Sequence, residues 1–184
     1  MNYLLADLLT LSRAEAGKLE FKPEQVNLPM FCHSLINEVQ NSAVKTSKIV
    51  LSAQQLDYDE VYLDPTLVSP ILSNLLYNAI KYSPLESTIT FSVFSTNQEV
   101  VFLVKDQGIG IHISDQMNIY EPFYRGKNAQ EIEGTGLGLS VVKTCLDLHQ
   151  GQIFVDSKVG FGTVFKVVLP LTYPQPKSRA LRNW

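Results

Sequence analysis

Several features are scarce in this sequence, and each scarcity excludes a class of protein. The only two cysteines, Cys32 and Cys145, lie far apart without the spacing of metal ligands. We therefore expect two buried thiols in a reducing compartment. The formal net charge is −3, so no basic excess indicates nucleic-acid binding. No apolar run approaches about 18 residues and no signal-peptide pattern opens the chain, which predicts a cytoplasmic location.

The composition fits one globular domain with an appendage. The 184 residues are 45% hydrophobic and 18% charged. The appendage is the opening segment "MNYLLADLLTLSRAEAGKLE", whose apolar positions fall within a helical arc of roughly 160°. These positions are Met1, Leu4, Leu5, Leu8, Leu9 and Leu11. So wide a stripe is typical of a helix in a bundle. We assign residues 1–22 to a bundle helix, 23–172 to the main domain and 173–184 to a tail.

Helices and strands are mixed in the rest of the chain. Asn27 and Asp64 can each cap a helix, and Gly151 lies beyond the end of another. The strands are expected to form three hairpin-like pairs. Their ranges are 48–53 with 60–64, 87–95 with 99–106, and 152–158 with 162–170. This order predicts an α+β fold: a two-layer sandwich in which a mixed, mostly antiparallel sheet carries helices on one face.

Two glycine-rich segments, "VKDQGIGIHI" and "EGTGLGLSVV", indicate a phosphate-bearing ligand. Glycine lets the backbone turn tightly and approach a ligand closely. The string of the P-loop is absent, and neither segment completes the dinucleotide fingerprint G-x-G-x-x-G. The glycine loop, H-R-D and D-F-G set of protein serine and tyrosine kinases is also absent. A lone glycine doublet is most often a simple turn, whereas two in one chain favour a functional site without identifying its type.

A polar face on one helix supports this interpretation. Asn74, Asn78 and Lys81 stand at positions i, i+4 and i+7 of a helix whose other faces are apolar. Asparagine is a poor helix-interior residue, so two in register suggest a function. An asparagine oxygen can bind Mg²⁺, and a lysine one turn further can meet a phosphate.

Taken together, these segments resemble the sequence boxes of sensor histidine kinases. "NLLYNAIKYSP" looks like their N box, "DQGIGI" like the first glycine box, "EPFYRG" like the F box and "GTGLGLSVVK" like the second glycine box. The order and spacing also match. "LSRAEAGKLE" resembles the end of the second helix of their dimerisation and phosphotransfer domain. The family shares its ATP-binding fold with gyrase, the Hsp90 chaperone and the MutL repair protein.

The resemblance implies a role for each box residue. Asp106 would accept a hydrogen bond from the adenine amino group. Asn78 would hold Mg²⁺ with Asn74 beside it, while Lys81 would meet phosphate and Tyr82 the base or ribose.

The glycines and the segment between them complete the implied ATP site. Gly108 and Gly110 would let the first glycine loop pass close to the nucleotide. Residues from Arg125 to Glu133 would form a lid, in which Arg125 contacts ATP. The second glycine loop would present helix amides to the phosphates. Its residues are Gly134, Thr135, Gly136, Leu137 and Gly138. Thr163 would help to read adenine through a water molecule.

The H box that carries the phosphoacceptor histidine in this family has no counterpart here. His33, His112 and His149 lack the expected neighbours, so we expect them to be structural or surface residues. Met1 is therefore expected to begin a fragment, with the acceptor helix, the sensing region and any membrane anchor upstream. The implied partners are the phosphotransfer domain of the parent protein, a second subunit and a response regulator.

Two other functions fit parts of the pattern. One is an ATPase or a protein serine kinase of the same fold, as in anti-sigma factors. The F box and the "LSRAEAGKLE" helix count against it. The other is a non-enzymatic module that binds nucleotide or only a partner. Intact Asn78 and Asp106, with all five box glycines, count against that.

Overall fold

The computed structural model describes residues 2–42, 47–53 and 56–171, with the side chains of residues 2 and 3 left aside. The predicted tail, residues 173–184, lies outside the described residues, as does Met1. The helices are α1 (Asn2–Glu15), α2 (Leu28–Ser42), α3 (Pro65–Tyr82) and α4 (Gly138–His149). The strands are β1 (Glu24–Asn27), β2 (Lys48–Ser52), β3 (Glu60–Leu63), β4 (Thr88–Ser95), β5 (Glu99–Lys105), β6 (Gln152–Lys158) and β7 (Gly162–Pro170).

The main sheet has five strands in the order β2-β4-β5-β7-β6. Only β2 and β4 pair in parallel, and the other three pairings are antiparallel. Burial alternates along β4, β5 and β7, as expected for a sheet with one covered face. The predicted α+β sandwich with helices on one face is confirmed.

One predicted strand pairing is wrong. Segments 48–53 and 60–64 do not form a hairpin. β2 runs parallel to β4, with Ile49 opposite Ile89, and β3 pairs with β1 in a separate two-stranded sheet. Between them Leu56 bridges to Ser95, so the chain follows β4 instead of turning back. Alternating apolar residues identify a strand, but without a tight-turn signal they do not show which other strand it pairs with.

The core is built mainly by α3 and the covered face of the sheet. Leu67, Ile71, Leu72, Leu75 and Leu76 of α3 are almost fully buried. Each such side chain contributes roughly 1.5–3 kcal/mol relative to an exposed one. They pack towards β4 and β5, where the rings of two other buried residues, Phe91 and Phe102, stack at 6.1 Å. This packing fixes the direction of α3, and so where its polar end projects.

The predicted helix caps agree with the structure. The Asn27 side chain accepts the Met30 amide at 3.0 Å, and Asp64 accepts the Thr66 amide at 2.9 Å. At the end of α4, the left-handed residue is Gln150 and the amide of Gly151 returns to the Leu146 carbonyl.

Helix α1 packs against α4 but leaves most of its leucine stripe open. Leu4, Leu5, Leu8 and Leu9 are 43–63% exposed. Among the described residues, no helix combines the length and apolarity needed to cross a bilayer. The exposed leucines form an apolar surface that another helix could cover, and the assignment of this segment to a bundle stays a prediction.

The segment after α1 is fastened to the base of the domain. Asp64 is fully buried, and its Oδ2 accepts the Lys22 amide at 2.6 Å. His149 Nε2 accepts the Asp64 amide at 3.4 Å, and the Phe21 ring meets the His149 ring edge-on at 4.8 Å. Burial lowers the pKa of His149 below its usual range, which favours the neutral ring. His149 is thus a structural residue.

We expect Asp64→Ala to lower the free energy of unfolding by about 2–4 kcal/mol, because it removes a helix cap and a buried charged acceptor. Asp64→Asn keeps a side chain that can cap the helix and should retain much of this stability. Chemical denaturation of both variants measures the difference. Equal losses in the two variants would show that the carboxylate charge, not the cap, dominates.

Candidate functional site

A cavity of about 650 Å³ opens between the C-terminal end of α3, the N-terminal end of α4 and the two glycine loops. All the predicted site residues except Gly108 and Leu137 line it. Leu137 is fully buried in the core. Gly108 borders a smaller adjoining pocket behind the first glycine loop, residues 106–110. The four sequence boxes therefore lie around one cavity.

Asp106 lies at the floor of this cavity and is only 7% exposed. Its Oδ1 accepts two backbone amides, from Gly108 at 2.8 Å and Thr163 at 3.1 Å. No hydrogen bond to Oδ2 comes from the part of the chain that the structure describes. Burial raises the pKa of the carboxyl group, and the two amides oppose that rise. The result is a fixed buried acceptor with one oxygen left to bind a donor.

The first glycine loop is too tight for side chains. A Cβ on Gly108 would come 2.6 Å from the Tyr82 carbonyl oxygen. Gly110 has φ +70°, and a Cβ there would come 2.1 Å from the Lys158 carbonyl oxygen. The loop is pressed between the end of α3 and the turn that joins β6 to β7. This contact holds Asp106 in place beneath the cavity.

The polar face of α3 forms one wall. Lys81 Nζ donates to the Tyr82 hydroxyl at 3.2 Å and lies 4.7 Å from the centre of that ring. Asn74 Nδ2 donates to the Pro70 carbonyl at 3.1 Å and approaches Asp7 Oδ1 at 3.5 Å. Burial raises the pKa of Asp7, while the Asn74 contact opposes the rise. Asn78 is half-buried and lines the cavity with them.

The second glycine loop, residues 134–138, leads into α4 at the opposite end of the cavity from Asp106. The Thr135 hydroxyl accepts the Leu137 amide at 3.2 Å. In the described chain, no side-chain cap closes the start of α4. A helix start without a cap offers amide donors and the positive end of the helix dipole, which suit a phosphate.

The predicted lid, residues 125–133, forms a compact turn beside the cavity. Lys127–Ala129 make a single 3₁₀ turn. Arg125 Nη2 donates to the carbonyls of Ala129, Gln130 and Ile132. Arg125 also borders the cavity. Its guanidinium group is bound to these three carbonyls, so its main contact in this structure is within the lid.

Several lining residues were missed by sequence reasoning. The apolar part of the wall comes from Ile109, Ile111, Ile119 and Phe165, with Tyr124 from the F box. Alternating or scattered isoleucines give no signal that separates a ligand wall from a core. Two further lining residues, Leu4 and Asp7, come from α1. Their place depends on how α1 docks, which no local pattern encodes.

The donor set fits Mg²⁺ only when phosphates complete it. Across residues 2–42, 47–53 and 56–171, no three His, Cys, Asp or Glu side chains gather to hold a metal ion. An asparagine oxygen on the wall can supply one ligand, because Mg²⁺ keeps several waters and binds substrate phosphates. The cavity therefore suits a metal that arrives with a nucleotide.

A sandwich that holds a cavity between two glycine loops, with a buried acceptor at one end and a free helix start at the other, defines an ATP-binding domain. The family described as histidine kinase-, DNA gyrase B- and HSP90-like ATPase matches residues 63–173. The chain belongs to this family.

Comparison with curated proteins narrows the assignment within that family. The chain is 35% identical to the adaptive-response sensory kinase SasA of Rippkaea orientalis over 172 residues, 93% of this chain and 44% of that protein. It is 34% identical to SasA of Synechococcus sp. strain JA-2-3B'a(2-13), over 93% of this chain and 46% of that protein. The chain spans less than half the length of these relatives. The matches confirm the predicted ATP-binding region of a sensor histidine kinase.

Solved structures show the same fold. Full-length ShkA in complex with AMPPNP matches 97% of this chain, and 36% of its own, with a TM-score of 0.79 at 22% identity. The Acinetobacter baumannii histidine kinase AdeS matches 94% of this chain and 79% of its own, with a TM-score of 0.71 at 23% identity. At these identities the likeness concerns the fold alone.

We expect Gly110→Ala to weaken ATP binding by about tenfold or more, because backbone strain of about 1–3 kcal/mol is added to a steric clash. Gly160→Ala is the matched control. Gly160 also has a positive φ, +80°, but a Cβ there meets nothing within 4 Å. Calorimetric titration with ATP should show a loss only for Gly110→Ala. Equal affinities in the two variants would contradict the role given to the close contact.

Proposed function

We propose that this chain binds Mg²⁺-ATP in the cavity and donates the γ-phosphoryl group to a histidine outside the chain, for relay to a response-regulator aspartate. The observation that carries the proposal is the buried Asp106 carboxylate, whose Oδ1 is fixed by two amides while the residue borders the cavity. An acceptor at this depth suits the exocyclic amino group of adenine.

The adenine end combines this acceptor with neighbouring polar and apolar groups. Thr163 donates its amide to Asp106, and its hydroxyl lies 2.8 Å from the Ser157 hydroxyl. Ile109 and Phe165 supply apolar surface for the flat face of the base. In this arrangement Asp106 selects a ring with a donor, and Thr163 contributes through its backbone and a bridging water.

The phosphate end is assigned to Asn78, Lys81 and the start of α4. Lys81 Nζ can move from the Tyr82 hydroxyl to a phosphate oxygen by rotation of its flexible stem. Gly136 and Gly138 line the cavity at the start of α4, where their amides would meet the phosphates. Asn78 would hold Mg²⁺, with Asn74 beside it. The metal would supply neutralisation of phosphate charge. Phosphoryl transfer depends mainly on such positioning and charge stabilisation.

The acceptor histidine is assigned to another part of the parent protein. His33 and His112 are exposed on the surface, and His149 is buried at the base of the domain. None of the three lines the cavity as the structure describes it. We assign residues 1–22 to the end of the second phosphotransfer helix, 23–172 to the ATP-binding domain and 173–184 to a tail. The exposed leucines of α1 would pair in the dimer of the parent protein.

A chimera tests the donor role directly. In it, this chain replaces the matching region of the R. orientalis kinase, and the rest of that kinase is kept. Incubation with γ-labelled ATP should place label on the chimera as an acid-labile, alkali-stable phosphate. Asp106→Ala in the same chimera should abolish the labelling, because adenine loses its buried acceptor. Acid-stable label would instead support the serine-kinase alternative, and ATP binding without label would support the non-enzymatic one.

We expect Asn78→Ala to weaken Mg²⁺-ATP binding by about tenfold, because it removes a metal ligand at the phosphate end. Adenosine binding and the melting temperature should stay unchanged. The control is Asn37→Ala, since Asn37 is exposed on α2. Calorimetry with both ligands gives the comparison. A parallel fall in adenosine affinity and thermal stability would instead make Asn78 a packing residue.

A further inference from the structure

A further buried carboxylate, Asp115, lies outside the predicted site. It belongs to the irregular segment between the first glycine loop and the F box, and it is 1% exposed. Its Oδ2 accepts the Lys127 amide at 2.9 Å, and its Oδ1 accepts the Ser114 hydroxyl at 3.1 Å. The carboxylate thus joins its own segment to the lid.

The Lys127 amide is the first amide of the 3₁₀ turn in the lid. Gly126 precedes it as the N-terminal cap residue and offers no side chain to bind that amide. Asp115 supplies the missing cap from a segment 12 positions away, and its negative charge suits the positive end of the turn. The Lys127 amide is the main reason that the pKa of Asp115 is lowered, so the carboxylate stays ionised at neutral pH.

The other end of the lid turn is closed from within. Arg125 binds three carbonyls there, and Asn128 Nδ2 donates to the Gly110 carbonyl at 2.7 Å. Asn128 therefore ties the lid to the first glycine loop. The hydrogen bond from the Lys127 amide to Asp115 ties the start of the lid to the segment that follows the first glycine loop. Asn128 and Gly110 line the cavity, and so does Gly126, the residue directly before Lys127.

We propose that Asp115 is a positioning residue that holds the lid against the nucleotide cavity by capping its first amide. This inference rests on the proposed nucleotide site. Because the Lys127 amide directly follows Gly126, which lines the cavity, the bond to Asp115 sets where the lid begins. Loss of the contact releases the start of the lid and leaves the adenine end, around Asp106, unchanged.

A pair of substitutions at Lys127 isolates the single hydrogen bond. Lys127→Pro removes the donor amide, and proline is well accommodated at the first position of a helical turn. Gly126 has φ −60° and ψ 153°, the extended conformation that a residue before proline adopts. Lys127→Ala keeps the amide and removes the same side-chain charge. The difference between the two variants therefore reports the bond to Asp115.

The readouts are hydrogen exchange of residues 126–134 in the intact chain and the affinities for Mg²⁺-ATP and adenosine. Relative to Lys127→Ala, Lys127→Pro should exchange about tenfold faster in the lid, as for loss of a hydrogen bond to a charged group. Its Mg²⁺-ATP affinity should fall several-fold, with adenosine affinity and melting temperature unchanged. Asp115→Asn should act in the same direction, and the double variant should add nothing to lid exchange.

A control within the lid is Glu131→Gln, which removes a charge from an exposed residue. It should leave lid exchange and both affinities unchanged. The proposal is overturned if Lys127→Pro and Lys127→Ala exchange alike, or if adenosine affinity falls with that of ATP. If Asp115→Asn does not fold, the comparison of Lys127→Pro with Lys127→Ala still tests the role of the hydrogen bond to Asp115. A wild-type chain that binds no ATP would refute the proposed function, while the exchange comparison would still decide the contact.

Discussion

The site depends on the joint between Asp106 and the start of β7. The Asp106 amide donates to the Thr163 carbonyl at 2.9 Å, and the Thr163 amide returns to the Asp106 carboxylate. This reciprocal pair joins the end of β5, the first glycine loop and the β6–β7 turn. Because a carboxylate buried without donors would be costly, the two amides are what permit an acceptor at this depth. The glycines around it are required by the close packing of the same joint.

A single helix, α3, connects this joint to the polar wall of the cavity. Buried leucines and isoleucines of α3 set the direction of the helix, so that its polar face turns towards the cavity. The Tyr82 carbonyl at its end then accepts the Ile109 amide of the first glycine loop. The hydrophobic core thus fixes the distance between Asp106, the proposed adenine acceptor, and the polar face of α3, the proposed phosphate wall. Stability and ligand geometry share the same residues.

Local patterns in the sequence predicted the elements that are determined locally. The caps at Asn27 and Asp64, the polar face of α3 and the two glycine loops follow from helical spacing and from backbone requirements. The partner of β2 could not be predicted, because a period of two identifies a strand without its neighbour. The sequence also did not predict the contact between Asn74 and Asp7 or the hydrogen bond that the Lys127 amide donates to Asp115. Each links segments that only the tertiary fold brings together, and an acidic residue in a polar stretch looks like ordinary surface.

The attachment of the segment after α1 has a consequence for how the protein can vary. Asp64 binds the backbone of Lys22, not its side chain. Any residue except proline can therefore make the same bond, so position 22 is free to change its chemistry. The number of residues between the end of α1 and this bond is not free in the same way, because an insertion would place another amide beside Asp64 and shift α1 relative to the domain. Among proteins with this fold, the length of the connection should therefore be more strictly conserved than its amino-acid sequence.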